Sequence, residues 1–145
     1  MPPPDTSDID AAILAKLGSD ATLLALAPNG VYFDLAPAGS TRFVIVSLVD
    51  AFDEPQFGGI AYEDLLYAIE YRELRQATGP ASNAKAAAQR IRVLLEDQPL
   101  TVAGYTWMTV HRERVERKTE TDDLDTSIKW NRRGGQYRVQ FSIGT

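Results

Sequence analysis

Residues 43–49, Phe-Val-Ile-Val-Ser-Leu-Val, are apolar at odd and even positions alike. Side chains of a strand alternate between its two faces, so this run has no face to offer to water. It predicts a central strand of a sheet, covered on each side. The rest of the chain must supply that cover.

The closing segment shows the complementary pattern. Tyr137, Val139, Phe141 and Ile143 alternate with Gln136, Arg138, Gln140 and Ser142, which marks a strand with one buried face. Near the start, Ile9, Ala12, Ile13 and Leu17 recur at helical spacing behind a capping-box pattern of Ser7 and Asp10. Gly18 ends that helix, Ser19-Asp20 caps a second through Leu23, Leu24 and Leu26, and Pro28-Asn29-Gly30 breaks it. The Pro-rich opening, residues 1–8, reads as a flexible arm.

Val31, Tyr32 and Phe33 read as a short strand, followed by a loop at 36–40. Residues 50–59 look like a turn-rich linker, with acids, Pro55 and Gly58-Gly59. Residues 62–74 fit a helix through Tyr62, Leu65, Leu66 and Ile69, and a strand through Tyr67, Ile69 and Tyr71. Three tyrosines and an isoleucine favour the strand. After Gly79-Pro80, with Ser82 or Asn83 as cap, Ala84, Ala88, Ile91 and Leu95 form a helical stripe widened by Ala87 and Leu94, and Pro99 stops it.

The last third reads as a long hairpin. Leu100 and Val102 lead to Gly104, and 105–110 is β. Residues 112–118, Arg-Glu-Arg-Val-Glu-Arg-Lys, have almost no apolar face, so they cannot pack inside a monomer and are expected to project. The acids Glu120, Asp122, Asp123 and Asp125 would form the loop of a projecting segment 112–126. Trp107 and Trp130 are expected as a cross-strand pair, and Arg132-Arg133-Gly134-Gly135 as a turn or bulge. Together these elements predict a single α/β (α+β) domain over residues 1–145. It has a mixed, largely antiparallel twisted sheet, N-terminal helices, one longer central helix and a projecting C-terminal hairpin.

At 145 residues the chain is long enough for one buried core, and 44% hydrophobic content suits it. No run approaches the roughly 18–20 apolar residues of a membrane span, and the start lacks the pattern of a secretory signal. With no cysteine, disulfides and thiolate metal sites are excluded. The net charge of -5 is unevenly spread: residues 1–71 hold eleven acids against Lys16 and Arg42, a net of -9, and residues 72–145 hold thirteen bases against nine acids, a net of +4. Such asymmetry suits head-to-tail contact between copies, and equally suits two solvated halves that intermix in space.

Catalytic signatures are scarce. His111 is the only histidine, which rules out a His cluster for metal, and no G-x-S-x-G elbow presents a serine to it. A partly exposed strand histidine is the expected role. Neither phosphate-cradling glycine motif is present, and the acids at 50–54 and 122–125 lack EF-hand spacing. Arg132-Arg133 suit either phosphate or the acids of a neighbouring subunit.

The order of elements resembles the tail-terminator (tail-completion, minor tail) family of siphophages. The leucine-rich opening from Ile13-Leu14-Ala15 to Leu23-Leu24-Ala25-Leu26, then Gly30-Val31-Tyr32 and a Pro-containing loop, resembles its first third. Phe43-Val44-Ile45-Val46-Ser47 resembles its central strand, with Arg42 where proline is frequent. The helix from Ala84 to Leu95 running into Leu100-Thr101-Val102-Ala103-Gly104, and Trp130 with Gly135-Gln136-Tyr137-Arg138-Val139, resemble its later passages. The polar 112–118 segment and the acidic loop depart from that pattern.

The resemblance implies a late structural virion protein without enzymatic activity or cofactor. It would form a homohexameric ring that caps the tail tube, stops its polymerisation and joins tail to head. Implied partners are other copies of the chain, the tail-tube protein and a head connector or stopper. No membrane and no sequence-specific nucleic acid is involved, and the genome passes through the ring. Its place is the neck of the virion, assembled in the host cytoplasm. Arg112, Arg114, Arg132 and Arg133 are the expected subunit contacts, with apolar burial from Trp107 and Val115. The alternatives are a head-tail connector or stopper, and a small nucleic-acid-binding module using Arg112, Arg132, Arg133 and Trp107.

Overall fold

A computed structural model describes residues 5–56, 59–75, 83–121 and 128–143. Helix α1 (Ser7–Gly18) and helix α2 (Ala21–Leu26) precede the three-residue strand β1 (Val31–Phe33) and the long strands β2 (Arg42–Gln56) and β3 (Gly59–Arg75). Helix α3 (Ala84–Leu95) then leads to the hairpin of β4 (Tyr105–Thr121) and β5 (Lys129–Ile143). The strands form one sheet in the order β1-β2-β3-β5-β4, with β1 parallel to β2 and the other pairs antiparallel. This is the expected α+β class.

The core lies between one sheet face and the helices. Val44 and Val46 of β2, Leu65, Tyr67, Ile69 and Tyr71 of β3, and Tyr137, Val139 and Phe141 of β5 meet Ile9, Ile13 and Leu17 of α1 and Ala87, Ile91 and Leu95 of α3. The alanines of α3 let its axis approach the sheet closely. Three tyrosines bury their rings, and two of them use the hydroxyl to bind the helical layer to the sheet. Tyr67 donates to Asp10 of α1, and Tyr71 donates to the Leu26 carbonyl at 3.0 Å.

Several expectations hold. Asp20 caps α2, accepting from the Leu23 amide at 2.8 Å, and it also takes a two-pronged hydrogen bond from Arg90 of α3 at 2.8 and 2.7 Å. Residues 62–74 are strand. Gly30 turns the chain at φ 104°, and Asn29 Oδ1 accepts from the Thr41 and Arg42 amides at 3.1 and 2.9 Å, which fixes β1 beside β2. Phe43 and Ile45 are buried on the face away from the helices, where Trp130 meets Phe43 edge-on at 5.9 Å, but the run 43–49 is not covered on each side throughout, since Leu48 and Val49 at its end are exposed.

Others are corrected. Residues 50–56 are strand and not linker: a bulge at Val49 absorbs one residue, and the ladder to β3 then continues through a mixed run that includes Asp50, Asp53 and Glu54. Backbone pairing does not require apolar side chains, which is why composition misled there. The Ser7–Asp10 capping box does not form; Asp5 accepts from the Ser7 amide at 2.8 Å, and Asp10 is engaged by Tyr67. The helix begins at Ser7, inside the segment expected to be an arm, and residues 1–4 lie outside the described residues. Trp107 and Trp130 are not a pair: Trp107 stands opposite Phe141, and Trp130 opposite Glu120, at the two ends of a very long hairpin. Gly134 and Gly135 lie mid-strand, and the bulge falls across the ladder in β4, at Glu113. The expected caps and turns at 79–82, the Gly58 turn and the acids 122–125 lie outside the described residues.

Candidate functional site

Strand β4 is an edge of the sheet. It is paired to β5 from Tyr105↔Ile143 to Thr121↔Lys129, and β5 is paired to β3 over the same length. From Glu113 to Thr121 every residue except Glu116 is exposed. The C-terminal hairpin forms as expected, but residues 112–118 do not project from the body: they are the paired, solvent-facing edge of the sheet.

The two glycines allow β5 to sit this close to its neighbours. A Cβ on Gly134 would fall 2.1 Å from the Ile69 carbonyl oxygen and 2.6 Å from the Glu70 Cα. One on Gly135 would fall 2.4 Å from the Arg114 oxygen and 2.8 Å from the Arg112 side chain, which lies over it.

Among the described residues no helix covers the far face of the sheet, and it is built of ion pairs. Arg132 bridges Glu70 of β3 at 2.7 Å and Glu120 of β4 at 2.8 Å, and Arg72 adds a third contact at 2.6 Å to the same Glu70. Arg138 bridges Asp64 and Glu113, each at 2.5 Å. The Arg138 pKa is raised, chiefly by Glu113 and then by Asp64, and that of Glu113 is lowered, chiefly by Arg138. Gln136 and Gln140 complete the row by donating to Glu116 and Asp64 at 3.1 Å each. Glu70 and Asp64 are buried only because these long partners lie across them.

The helix-side face of the same hairpin is different. Arg117 stands directly opposite Arg133, and Val115, 60% exposed, opposite Gly135. Arg112 stands opposite Tyr137. Its amide donates to Glu96 at 2.8 Å, but its guanidinium forms no ion pair among the described residues. Neither do Arg117 and Arg133 beside it, nor Arg114 and Lys118 of the far face. Like charges directly across a ladder destabilise it. This cluster is therefore held at a cost within the isolated subunit.

Acids gather at the other end of the strands, also on the helix side. Glu63 is buried and accepts from the Tyr105 hydroxyl at 2.7 Å. Its pKa is raised, mainly by burial and further by Asp53 and Asp5. Asp10 is raised likewise by burial, with Asp34 and Asp5 adding to it. Asp8 and Asp53 are exposed there.

Of the six residues expected at subunit contacts, the structure brings together Arg112, Val115 and Arg133 on the helix side. Arg132 and Arg114 fall on the far face, Arg132 with its charge engaged internally. Trp107 packs against the core, its Nε1 buried without a partner. Sequence reasoning missed Arg117 and Arg138, whose roles depend on register; the alternating signs in 112–120 were the only hint. The His111 side chain is 42% exposed, and its Nε2 lies 4.0 Å from Glu113. Among the described residues no group of His, Cys, Asp or Glu is placed to hold a metal. Nor is any helix there long and apolar enough to cross a membrane.

Fold and surface define a class: an α+β subunit with helices on one sheet face, ion pairs on the other and a charged edge strand. No family model and no curated protein sequence matches the chain. Solved structures do. A chain in the virion of a native gene transfer agent (GTA) particle is 23% identical, over 92% of this chain and 94% of that one, with a TM-score of 0.63. A chain in a second solved structure is 11% identical, over 97% and 96%, with a TM-score of 0.59. Both likenesses establish a shared fold along nearly the whole length.

Proposed function

We propose that this chain is a structural protein of a phage-like virion, and within it the tail terminator. In this role copies close into a ring, most simply a hexamer, that caps the last layer of tail-tube protein and presents a second face to the head connector. The observation that carries the reading is the fold shared, end to end, with a chain of a gene transfer agent virion. The order of elements, which resembles the siphophage terminators, supports the finer assignment, and so does an exposed, charged edge strand outside the core. Termination needs recognition on one face and its absence on the other: one side of the ring repeats the stacking contacts of the tube, the opposite side lacks them, and growth ends.

The protein acts as a binding subunit and not as an enzyme. Its one histidine is half-buried and, among the described residues, stands beside a single carboxylate, and the buried acids are engaged by tyrosine hydroxyls or arginines. Sequence-specific nucleic-acid binding is disfavoured by the net charge of -5 and by the internal pairing of Arg132 and Arg138.

Tail tubes mixed with purified protein test the reading. Electron microscopy should show rings about 70–100 Å across, six domains of about 30 Å each, seated on one end of the tube. Binding to the portal side of heads and not to tubes would replace the terminator with a connector or stopper. Binding to neither would remove the neck assignment.

A further inference from the structure

On the side away from the helices, Arg132 and Arg138 each lie between two carboxylates of the same subunit. On the helix side, Arg112, Arg117 and Arg133 lie around the exposed Val115, and none of the three forms an ion pair among the described residues. Two cations set directly opposite each other, Arg117 and Arg133, with Arg112 on the same face and no ion pair to any of the three among the described residues, make this patch suited to receive an external anion.

The same side of the sheet supplies a matching surface at its far end. Strands β2 and β3 bring Asp53 opposite Glu63, and the first turn of α1 adds Asp8, with Asp5 just before it. These acids act on one another, since Asp53 and Asp5 both disfavour ionisation of Glu63. The imbalance between the two halves of the sequence thus becomes, in the fold, a separation between the two ends of one sheet face. Opposite ends of one subunit cannot meet each other, but those of adjacent copies can.

We propose that the patch of Val115, Arg112, Arg117 and Arg133 docks the acidic end of a second copy of this chain, around Asp8 and Asp53. This rests on the ring reading, whose closing contact it names. The contact is heterologous, so it repeats around a cyclic axis. Val115 supplies apolar area that screened charges alone would lack. The acidic surface of a protein is favoured over nucleic acid because the complementary acids are present on the chain itself.

Two full-length variants test it by sedimentation velocity at about 50 mM and about 500 mM salt. Arg117→Glu/Arg133→Glu makes the patch acidic, and Asp8→Arg/Asp53→Arg makes the acidic end basic. Circular dichroism checks folding, and Arg117→Glu alone, at an exposed site, serves should the double variant unfold. The wild type should associate at low salt and dissociate at high salt. Each variant alone should associate about tenfold or more weakly, and an equimolar mixture of the two should associate again, because each reversed surface then meets its complement. Unchanged association of Arg117→Glu/Arg133→Glu, or no recovery in the mixture, overturns the contact. So does a wild type that stays monomeric while a labelled DNA duplex binds through the same arginines. Tube capping by the same preparations separates the two claims. A non-associating variant that still caps tubes overturns this contact and spares the terminator; recovery in the mixture without capping does the reverse.

Discussion

The hydroxyl of Tyr105, the first residue of β4, donates to Oε2 of the buried Glu63 of β3 at 2.7 Å. Burial raises the Glu63 pKa from 4.5, and the Tyr105 bond opposes this only in part. A carboxyl with a raised folded pKa holds its proton more tightly folded than unfolded. Its contribution therefore favours folding below 4.5 and is lost as pH rises through the folded value. Glu63→Gln keeps an acceptor for Tyr105 and removes the charge. At pH 7 it should raise the unfolding midpoint by about 2–4 °C, and at pH 4 the gain should vanish. Thermal unfolding followed across that range measures it; a lower midpoint at pH 7 would contradict the account.

Arg132 and Arg133 are neighbours in sequence but not in circumstance. Among the described residues, removing Arg132 takes one of two guanidinium partners from the buried Glu70 and the only one from Glu120. Arg132→Ala should cost about 1–2 kcal/mol. Arg133→Ala breaks no ion pair among the described residues and relieves the repulsion with Arg117, so stability should stay within about 0.5 kcal/mol or rise. Urea unfolding of the two variants side by side distinguishes them.

Gly134 admits no side chain, since a Cβ would meet the Ile69 oxygen at 2.1 Å. The β3–β5 ladder would have to part to make room. Gly134→Ala should destabilise the fold by about 3 kcal/mol and lower the unfolding midpoint by about 10 °C. Soluble yield and calorimetry report it.

Asp20 does two tasks, capping α2 and pairing with Arg90. Its pKa is lowered, first by the Arg90 hydrogen bond. Its stabilisation is thus present above 3.8 and is lost as pH falls through the folded value. Asp20→Asn should retain the cap and lose the acid sensitivity, whereas Asp20→Ala should lose about 1 kcal/mol more through the cap. Acid titration of wild type and both variants separates the tasks.

Much of the architecture was legible locally. The run at 43–49, the alternation at 136–143, the alanine stripe of α3 and the Asp20 cap depend on residues within a turn or a strand of each other. Such patterns survive any arrangement of the distant chain. The ambiguous segment 62–74 was resolved correctly for the same reason, through β-favouring tyrosines that turned out to line the core.

The candidate surface was legible only as a stretch that does not belong inside. Nothing near Arg132 in sequence says that Glu70 and Glu120 will hold it, or that Arg133 will instead face Arg117. Likewise, no local rule says that Gly134 and Gly135 are kept for close approach and not for a turn, or that β2 runs on past its acids to Gln56. The sequence by itself determined where strands and helices arise and that 112–118 stays outside the core. Tertiary structure alone decided which charges are neutralised and which are left for a partner. The reason is physical: an ion pair or a close backbone approach depends on cross-strand register, which brings together side chains some sixty positions apart.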